Sequence, residues 1–218
     1  MSARKKSSPK NTKKPALLRY FFDTEFLDDP YNFSCELVSI GILNEKGQEY
    51  YGISKEFNLQ AAKKEPWIKE HVIDKLDPQN TWDSVDDIRQ GVLDLFEPAE
   101  KVELWARNGS YDNVLICQLF GGMGEFFKTL KEEKGIDRIE FRDINELKRE
   151  AGKQKLRLPR LPDAEAHISI NDARHELTCF RFMKKHLDGQ GSNAKAKAKH
   201  KGKKTMRRPK RNRNHFRR

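Results

Sequence analysis

The sequence predicts a mixed α/β domain, and three observations support this fold class. Three strand-like stretches come first, and the second and third are joined by a short turn that contains glycine. Helical and strand-like patterns then alternate through the body of the chain. The length of 218 residues fits one domain with appendages. Strands that alternate with helices typically build a sheet covered by helices.

Five segments are predicted as strands. The first is an apolar run that ends in acidic residues, which is typical of a buried strand that opens at its carboxyl end. The second and third form a hairpin across the turn at Gly47, and the fifth alternates apolar and charged residues. The predicted strands are residues 18–25, 37–43, 49–54, 101–106 and 138–143.

Helices are predicted between and after these strands. Proline at 66 and a cap at Asp83 or Ser84 indicate two starts, and glycines at 121, 122 and 135 indicate ends. Asn171 is the expected N-cap of the last helix. The loop 152–165 precedes that helix and the linker 189–192 follows it. The predicted helices are residues 67–76, 85–96, 110–120, 126–134, 144–151 and 172–187.

Two carboxylates follow the first apolar run, at Asp23 and Glu25. Side chains alternate faces along a strand, so these two acids point the same way. Carboxylates on one face repel each other, and a cation between them relieves that repulsion. Acids end many strands, so a solvated loop remains the alternative until further acids are found.

Residues further along the chain extend this pattern. Asp112 opens a helical segment, and His167 stands five positions before Asp172 at the start of another. The order Asp-x-Glu, Asp, His-x-x-x-x-Asp resembles the signature of the DEDDh 3′–5′ exonucleases. From about residue 19 to 187 the chain resembles the small bacterial 3′–5′ exoribonucleases of the mycobacterial, adenylate-preferring type, in the ribonuclease T and oligoribonuclease superfamily. The segments that carry this resemblance are 19–26, 36–41, 104–106 and 111–112.

The resemblance implies a ribonuclease H-like fold, with a mixed five-stranded sheet flanked by helices, a central first strand and an antiparallel pair after it. It also implies two Mg²⁺ or Mn²⁺ ions per active site. Asp23 would bridge both ions, and Glu25 and Asp172 would hold the ion that carries the attacking water. Asp112 would support the second ion through water, and His167 would be the general base. A homodimer is implied by the resemblance alone.

Each of these residues also has an ordinary structural interpretation. Asp112 could cap its helix, Asp172 would be favourable at any helix start, and His167 could be a surface residue. His175 is a rival base, although it falls within the predicted helix. The conjunction of order, spacing and flanking apolar residues favours a single site. Ser169 stands where the family commonly has alanine, and we expect this small change to be tolerated.

Substrate contacts are predicted from position and residue type. Phe26 directly follows the acids and could stack on the terminal base, with core packing as the alternative. Glu36 matches a glutamate of the resembled family and could contact the terminal nucleotide, or be a surface acid. Arg157 and Arg160 could contact phosphates, although a charge run is usually a solvated loop.

Charge divides the chain into an acidic body with basic ends. The net charge is +11, yet residues 1–18 carry six Lys and Arg and residues 189–218 carry thirteen, with no acid in either. The remaining 25 basic and 33 acidic residues lie in 19–188, which is the predicted DEDDh exonuclease domain. We expect a disordered basic arm at 1–18 and a disordered basic tail at 189–218 that capture RNA. An acidic body would need metal ions or such tails to attract a polyanion.

The sequence thus predicts a metal-dependent 3′–5′ exoribonuclease that hydrolyses single-stranded RNA to nucleoside 5′-monophosphates. The alternatives are a 3′–5′ DNA exonuclease of the same superfamily, and a non-catalytic nucleic-acid-binding protein that acts through its basic tails.

Three scattered cysteines with no CxxC pair argue against a zinc site and against a disulfide framework. With no signal peptide or membrane-length apolar segment, we expect a cytoplasmic protein that does not engage a membrane.

Overall fold

The fold is a five-stranded mixed sheet with helices on both faces, which confirms the predicted fold class. The computed structural model describes residues 14–29, 34–77, 82–151 and 156–204. The strand order is β3-β2-β1-β4-β5, so the first strand is central. It runs antiparallel to β2 and parallel to β4, as the resemblance implies. The strands are β1 Leu18–Asp29, β2 Ser34–Asn44, β3 Glu49–Ile53, β4 Val102–Ala106 and β5 Ile139–Asp143.

Seven α-helices and one short 3₁₀ helix are present among the described residues. The capping box at Ser84, where its side chain and that of Asp87 bond each other's backbone N–H, starts the third helix and settles which predicted cap is used. The helices are α1 Leu59–Ala62, α2 Pro66–His71, α3 Val85–Leu95, α4 Ser110–Gln118, α5 Met123–Lys134, α6 Ile144–Ala151 and α7 Ser169–Lys204, and the 3₁₀ helix is Ile73–Lys75.

The last helix differs from its prediction at both ends. It begins at Ser169, so Asn171 lies within the first turn and the prediction of an N-cap there is wrong. It continues to Lys204 through the segment 189–192 that was predicted as a linker. The Ala and Lys residues that follow are strong helix formers, which offsets the local cost of two glycines. Residues 1–13 of the predicted arm and 205–218 of the predicted tail lie outside the described residues.

The central strand is buried on both faces, which explains its unbroken apolar run. Tyr20 and Phe22 point into a large core beneath α3, α4 and α5. Phe21 points to the opposite face, where it packs with Trp105 and Phe180 beneath α6 and α7. Since Asp23 and Glu25 continue the Phe21 side of the strand, they face α7.

A smaller core supports the segment that carries α1, α2 and the 3₁₀ helix. Val72 and Phe57 are buried there against Leu27 and Val38 of the sheet. Trp82 stacks on Phe57 at a centroid distance of 5.7 Å. The sequence did not predict α1, and it merged α2 with the 3₁₀ helix into one helix over 67–76. Within the described part of the chain, no helix is long and apolar enough to cross a membrane.

A glycine lets α7 approach the sheet closely. A Cβ atom on Gly41 would overlap backbone atoms of Ile170 and Ser169 at the start of α7. Gly41 is the register partner of Asp23, so this contact sets the start of α7 directly beside the acidic end of β1. Nearby, the hydroxyl oxygens of Ser39 and Ser169 lie 3.1 Å apart, so the serine at 169 has a buried partner.

Replacing Gly41 with alanine is expected to destabilise the protein by about 1–3 kcal/mol, the usual cost of overpacking. The clash is with backbone rather than with a flexible side chain, so α7 must shift or the strand must bend. Chemical denaturation measures the free energy of unfolding. The matched control is Gly124→Ala, since Gly124 lies in α5 with nothing near its Cβ position and should gain helix propensity. Equal stability of Gly41→Ala and the wild type would contradict the close approach.

Candidate active site

The site is built at the carboxyl end of the central strand. Asp23 and Glu25 lie opposite Gly41 and Ser39 in the antiparallel register with β2. The register shifts directly after Glu25, and such irregularities bend a strand and often occur next to active sites. The two acids therefore share one face, and the strand changes course immediately beyond them.

Asp172, in the first turn of α7, joins these two acids. One carboxylate oxygen from each of Asp23, Glu25 and Asp172 can be chosen so that all three lie within 4.8 Å of one another. The Oδ2 atom of Asp172 is buried and has no hydrogen-bond partner among the described residues. A buried carboxylate oxygen without a partner is costly, and a cation would satisfy it. Hard carboxylate oxygens of this kind suit Mg²⁺ or Mn²⁺.

Asp112 lies beside this group but is held by different contacts. Its Oδ1 atom accepts hydrogen bonds from the backbone N–H and the hydroxyl of Thr24, at 2.9 and 2.6 Å. Asp112 is buried, and the N-cap position of α4 is Gly109, which makes no side-chain cap. Asp112 therefore does not cap its helix, which removes the main alternative interpretation. Thr24 instead ties it to the strand between Asp23 and Glu25.

His167 lies directly before α7 with its ring toward the acids. Its Nδ1 atom is 3.8 Å from Oε1 of Glu25. The backbone of His167 is left-handed, with φ of 61°, a conformation that costs a non-glycine residue energy and persists only where the surroundings hold it. The rival base, His175, has its Nε2 atom 3.0 Å from the carbonyl oxygen of Pro159. That contact uses the nitrogen as a donor, so the geometry favours His167 as the base.

Burial and mutual repulsion disfavour the charged form of the carboxylates at this site. Burial raises the pKa of Asp23 well above its usual range, and the carboxylates of Glu176, Glu25, Asp112 and Asp172 raise it further. Burial also raises the pKa of Glu25, Asp112 and Asp172, against hydrogen bonds that lower each one. The nearby Glu25 carboxylate raises the pKa of His167. A cation would favour the charged form of every carboxylate here.

Glu176 is a buried acid that the sequence interpretation missed. It is 2% exposed and lies one helical turn after Asp172. Its Oε2 atom is buried with no hydrogen-bond partner in the described part of the chain. Burial raises the pKa of Glu176 well above its usual range. The i, i+4 spacing from Asp172 was a usable signal, because such residues share a helix face.

The predicted substrate residues are spread around the site. Phe26 is half-buried and stacks on the exposed Tyr111 at a centroid distance of 4.9 Å. Glu36 accepts a 2.6 Å hydrogen bond from the backbone N–H of Asn58. The exposed residues Arg157 and Arg160 lie in the stretch before His167, and Arg160 is paired with Asp163 at 3.5 Å.

An exposed aromatic side chain beside His167 was also missed by the sequence interpretation. Trp67 in α2 is 51% exposed, and its ring lies roughly perpendicular to the His167 ring with centroids 4.9 Å apart. It stacks nearly parallel on His71, with centroids 4.9 Å apart. The sequence offered no signal for this, since a hundred residues separate α2 from His167 and only the fold brings them together.

Comparison with known proteins assigns the family. The family model described as the Rv2179c-like 3′-5′ exoribonuclease domain matches residues 18–184. The chain belongs to this exoribonuclease family. It is 36% identical over 175 residues to the 3′-5′ exoribonuclease Rv2179c of Mycobacterium tuberculosis H37Rv, covering 76% of this chain and 93% of that protein. The 3′-5′ exoribonuclease MT2234.1 of strain CDC 1551 matches to the same extent.

Solved exonucleases have a distantly similar architecture. Apo exonuclease I aligns with a TM-score of 0.49 and 11% identity, covering 81% of this chain. Exonuclease I in complex with the SSB C-terminus aligns with a TM-score of 0.47 and 12% identity. In both cases the chain spans 42% of the length of the solved exonuclease chain. The membership in the Rv2179c-like family rests on the sequence matches.

Divalent cations are expected to raise the melting temperature of this exoribonuclease family member, and more so at higher pH. Folded-state pKa values above the ordinary carboxyl value of about 4 mean that the folded protein binds more protons than the unfolded chain. Without metal, the contribution of these carboxyl groups to stability is therefore greatest at low pH and is lost as pH rises through their raised pKa values. A cation at 100 times its dissociation constant should add roughly 5–10 °C.

Thermal melts from pH 5 to 8, with Mn²⁺, Mg²⁺ or EDTA, measure this effect. The matched control is Asp28→Asn, which changes an exposed acid of the same strand outside the cluster and should preserve the shift. A metal-induced shift that is absent, or that is largest at pH 5, would contradict a cation site made by these carboxylates.

Proposed function

We propose that this chain hydrolyses single-stranded RNA from its 3′ end and releases nucleoside 5′-monophosphates with the help of two divalent cations. One observation carries the proposal: a strand end and a helix start bring Asp23, Glu25 and Asp172 within metal-binding distance, with His167 beside them. A binding protein that acts through its tails has no need of this arrangement. The family membership supports the same reaction.

Four carboxylates would hold the ions, each in a different role. Asp23 would take part in holding both ions, and Glu25 and Asp172 would hold the ion next to His167. Asp112 would act through water, which fits a carboxylate whose Oδ1 atom is already bonded by Thr24. When bound, such ions activate a water molecule and neutralise charge on the scissile phosphate.

His167 is the residue that moves a proton in this proposal. Its neutral imidazole accepts a proton from the attacking water, while Glu25 lies close enough to stabilise the resulting imidazolium. Trp67 packs roughly perpendicular to the ring, which stays partly exposed. The imidazole is therefore confined in orientation without being buried.

Aromatic side chains flank the acids and would hold the last bases of the RNA. Phe26 and Tyr111 form one stacked pair next to Glu25 and Asp112, and Trp67 presents an exposed face beside His167. Stacking on aromatic rings tolerates any base and contributes about 1–3 kcal/mol per base. At the rim of the site, Glu36 would contact the terminal nucleotide, and Arg157 and Arg160 would contact phosphates further along the strand.

An end-labelled ladder assay tests the proposed function. Matched single-stranded RNA and DNA, each with a free or phosphorylated 3′ end, are incubated with Mg²⁺, Mn²⁺ or EDTA. We expect stepwise shortening of 5′-labelled RNA, inhibition by EDTA and by the blocked 3′ end, and 5′-monophosphates as products. Faster shortening of DNA would make the chain a DNA exonuclease, and no metal-dependent shortening of either strand would overturn the proposal.

The basic ends are proposed to capture RNA. Deleting residues 189–218 is expected to leave a folded, active core, because it keeps the α7 residues that pack on the core up to Leu187. The deletion removes thirteen Lys and Arg residues. For each phosphate that the tail no longer neutralises, the slope of log affinity against log salt should flatten by about 0.7 on a single strand.

Binding of one single-stranded RNA across a salt series measures this slope for both proteins. The truncated protein should also show a higher KM at low salt with nearly the same kcat. Equal slopes would mean that the tail does not contact the substrate.

The family resemblance further suggests a homodimer. The three free thiols at Cys35, Cys117 and Cys179 suit a reducing cytoplasm.

A further inference from the structure

The turn that carries His167 is held by a lysine from a distant part of the chain. Lys75 ends the 3₁₀ helix after α2, and its side chain is half-buried. Its ammonium donates to the carbonyl oxygens of Asp163 and Ala166, at 2.9 and 2.7 Å. Both carbonyls belong to the turn 163–167, and hydrogen bonds with a charged donor are roughly twice as strong as neutral ones.

The second of these bonds acts on the peptide group that sets the His167 backbone. The carbonyl of Ala166 and the N–H of His167 belong to one rigid, planar unit. Lys75 bonds the oxygen of that unit. The peptide plane is therefore held at its carbonyl end, directly before His167, whose φ of 61° lies in the left-handed region.

We propose that Lys75 is a positioning residue for His167: its ammonium holds the 166–167 peptide so that the imidazole faces the acidic cluster. This inference rests on the proposed role of His167 as the base. A left-handed backbone is unfavourable for a non-glycine residue and persists only while its surroundings hold it. Without Lys75 the turn relaxes, and the ring moves away from Glu25.

The test uses Lys75→Met, which keeps the aliphatic stem but removes the donors, and Lys75→Arg, which restores charged donors. The matched control is Lys69→Met, since Lys69 lies in α2 of the same segment but pairs only with Asp74 on the surface among its described contacts. We expect Lys75→Met to lower kcat by roughly 10- to 100-fold, as supporting groups around an active site typically do. KM and Mn²⁺ affinity should change little, Lys75→Arg should recover most of kcat, and Lys69→Met should match the wild type.

A double-mutant cycle shows whether Lys75 acts through His167. In a His167→Ala background, Lys75→Met should cause no further loss of kcat, because the group that it positions is already gone. A full additional loss in that background, or an unchanged kcat in Lys75→Met alone, would overturn the proposal. If Lys75→Met does not fold, the same cycle with Lys75→Gln, which replaces the ammonium with a shorter, uncharged amide, gives the same discrimination.

Hydrogen–deuterium exchange separates this inference from the proposed function. Amides of the turn 163–167 should exchange faster in Lys75→Met than in Lys69→Met or the wild type, whether or not the protein cleaves RNA. Unchanged exchange would overturn the positioning role. Faster exchange together with no hydrolysis by the wild type would instead contradict the proposed function, because Lys75 would still be shown to hold the turn 163–167.

Discussion

Asp23→Asn is expected to abolish hydrolysis while the metal-free protein becomes more stable. Burial and four neighbouring carboxylates raise the pKa of Asp23 well above its usual range. Asparagine keeps the shape but removes the charge that a cation needs, and kcat should fall by at least about 10³-fold, more than for a single electrostatic donor. The same change removes repulsion within the cluster, so the apparent melting temperature in EDTA should rise.

The two opposite effects make this experiment diagnostic. A misfolded variant would lose both activity and stability, whereas a variant that lacks only the metal site loses activity and gains stability. Single-turnover cleavage, melts in EDTA and Mn²⁺ titration are measured on Asp23→Asn and on Asp28→Asn, the exposed control on the same strand. Mn²⁺ binding should weaken in Asp23→Asn alone. Turnover near that of the wild type would mean that Asp23 is not a required ligand.

The sheet could be predicted from the sequence because its signals are local. The apolar run before Asp23 predicted a buried strand, and the structure buries it on both faces. The turn at Gly47 predicted the hairpin that β2 and β3 form. The predicted ends of the helices were less accurate than the predicted strands. Asn171 fits a cap by residue type, but the contact of Ser169 and Ile170 with Gly41 starts α7 earlier, and this contact is a tertiary effect.

The acidic residues and His167 could be named from spacing, because the motifs carry those positions within short segments. What spacing could not show is how each residue is held. Thr24 bonds Asp112 from a distance of 88 residues, and Lys75 bonds the His167 turn from 88 and 91 residues away. The Lys75 contacts depend on the packing of the small core under α2, and the Thr24–Asp112 bond depends on the packing of α4 on the sheet; no local pattern encodes either. The same reason explains why Trp67 was not foreseen.

His167→Ala is expected to slow cleavage by roughly 10²–10⁴-fold, the usual contribution of a general base. The imidazole of His167 faces Glu25 at 3.8 Å, whereas the ring of His175 is engaged by the carbonyl of Pro159. Affinity for Mn²⁺ should change little, because His167 is not proposed as a ligand. The loss should therefore fall on kcat rather than on metal or RNA binding.

The matched control is His175→Ala, one turn along α7 from Asp172. His175 bonds the Pro159 carbonyl, so its loss should lower the melting temperature more than it lowers kcat. Single-turnover rates at saturating Mn²⁺, measured from pH 6 to 9, compare both variants with the wild type. The rising limb of the wild-type profile should disappear in His167→Ala, because the group that must lose its proton before it can accept one from water is gone. A larger loss of kcat in His175→Ala would assign the base to His175, and α7 rather than the turn 163–167 would then carry the proton transfer.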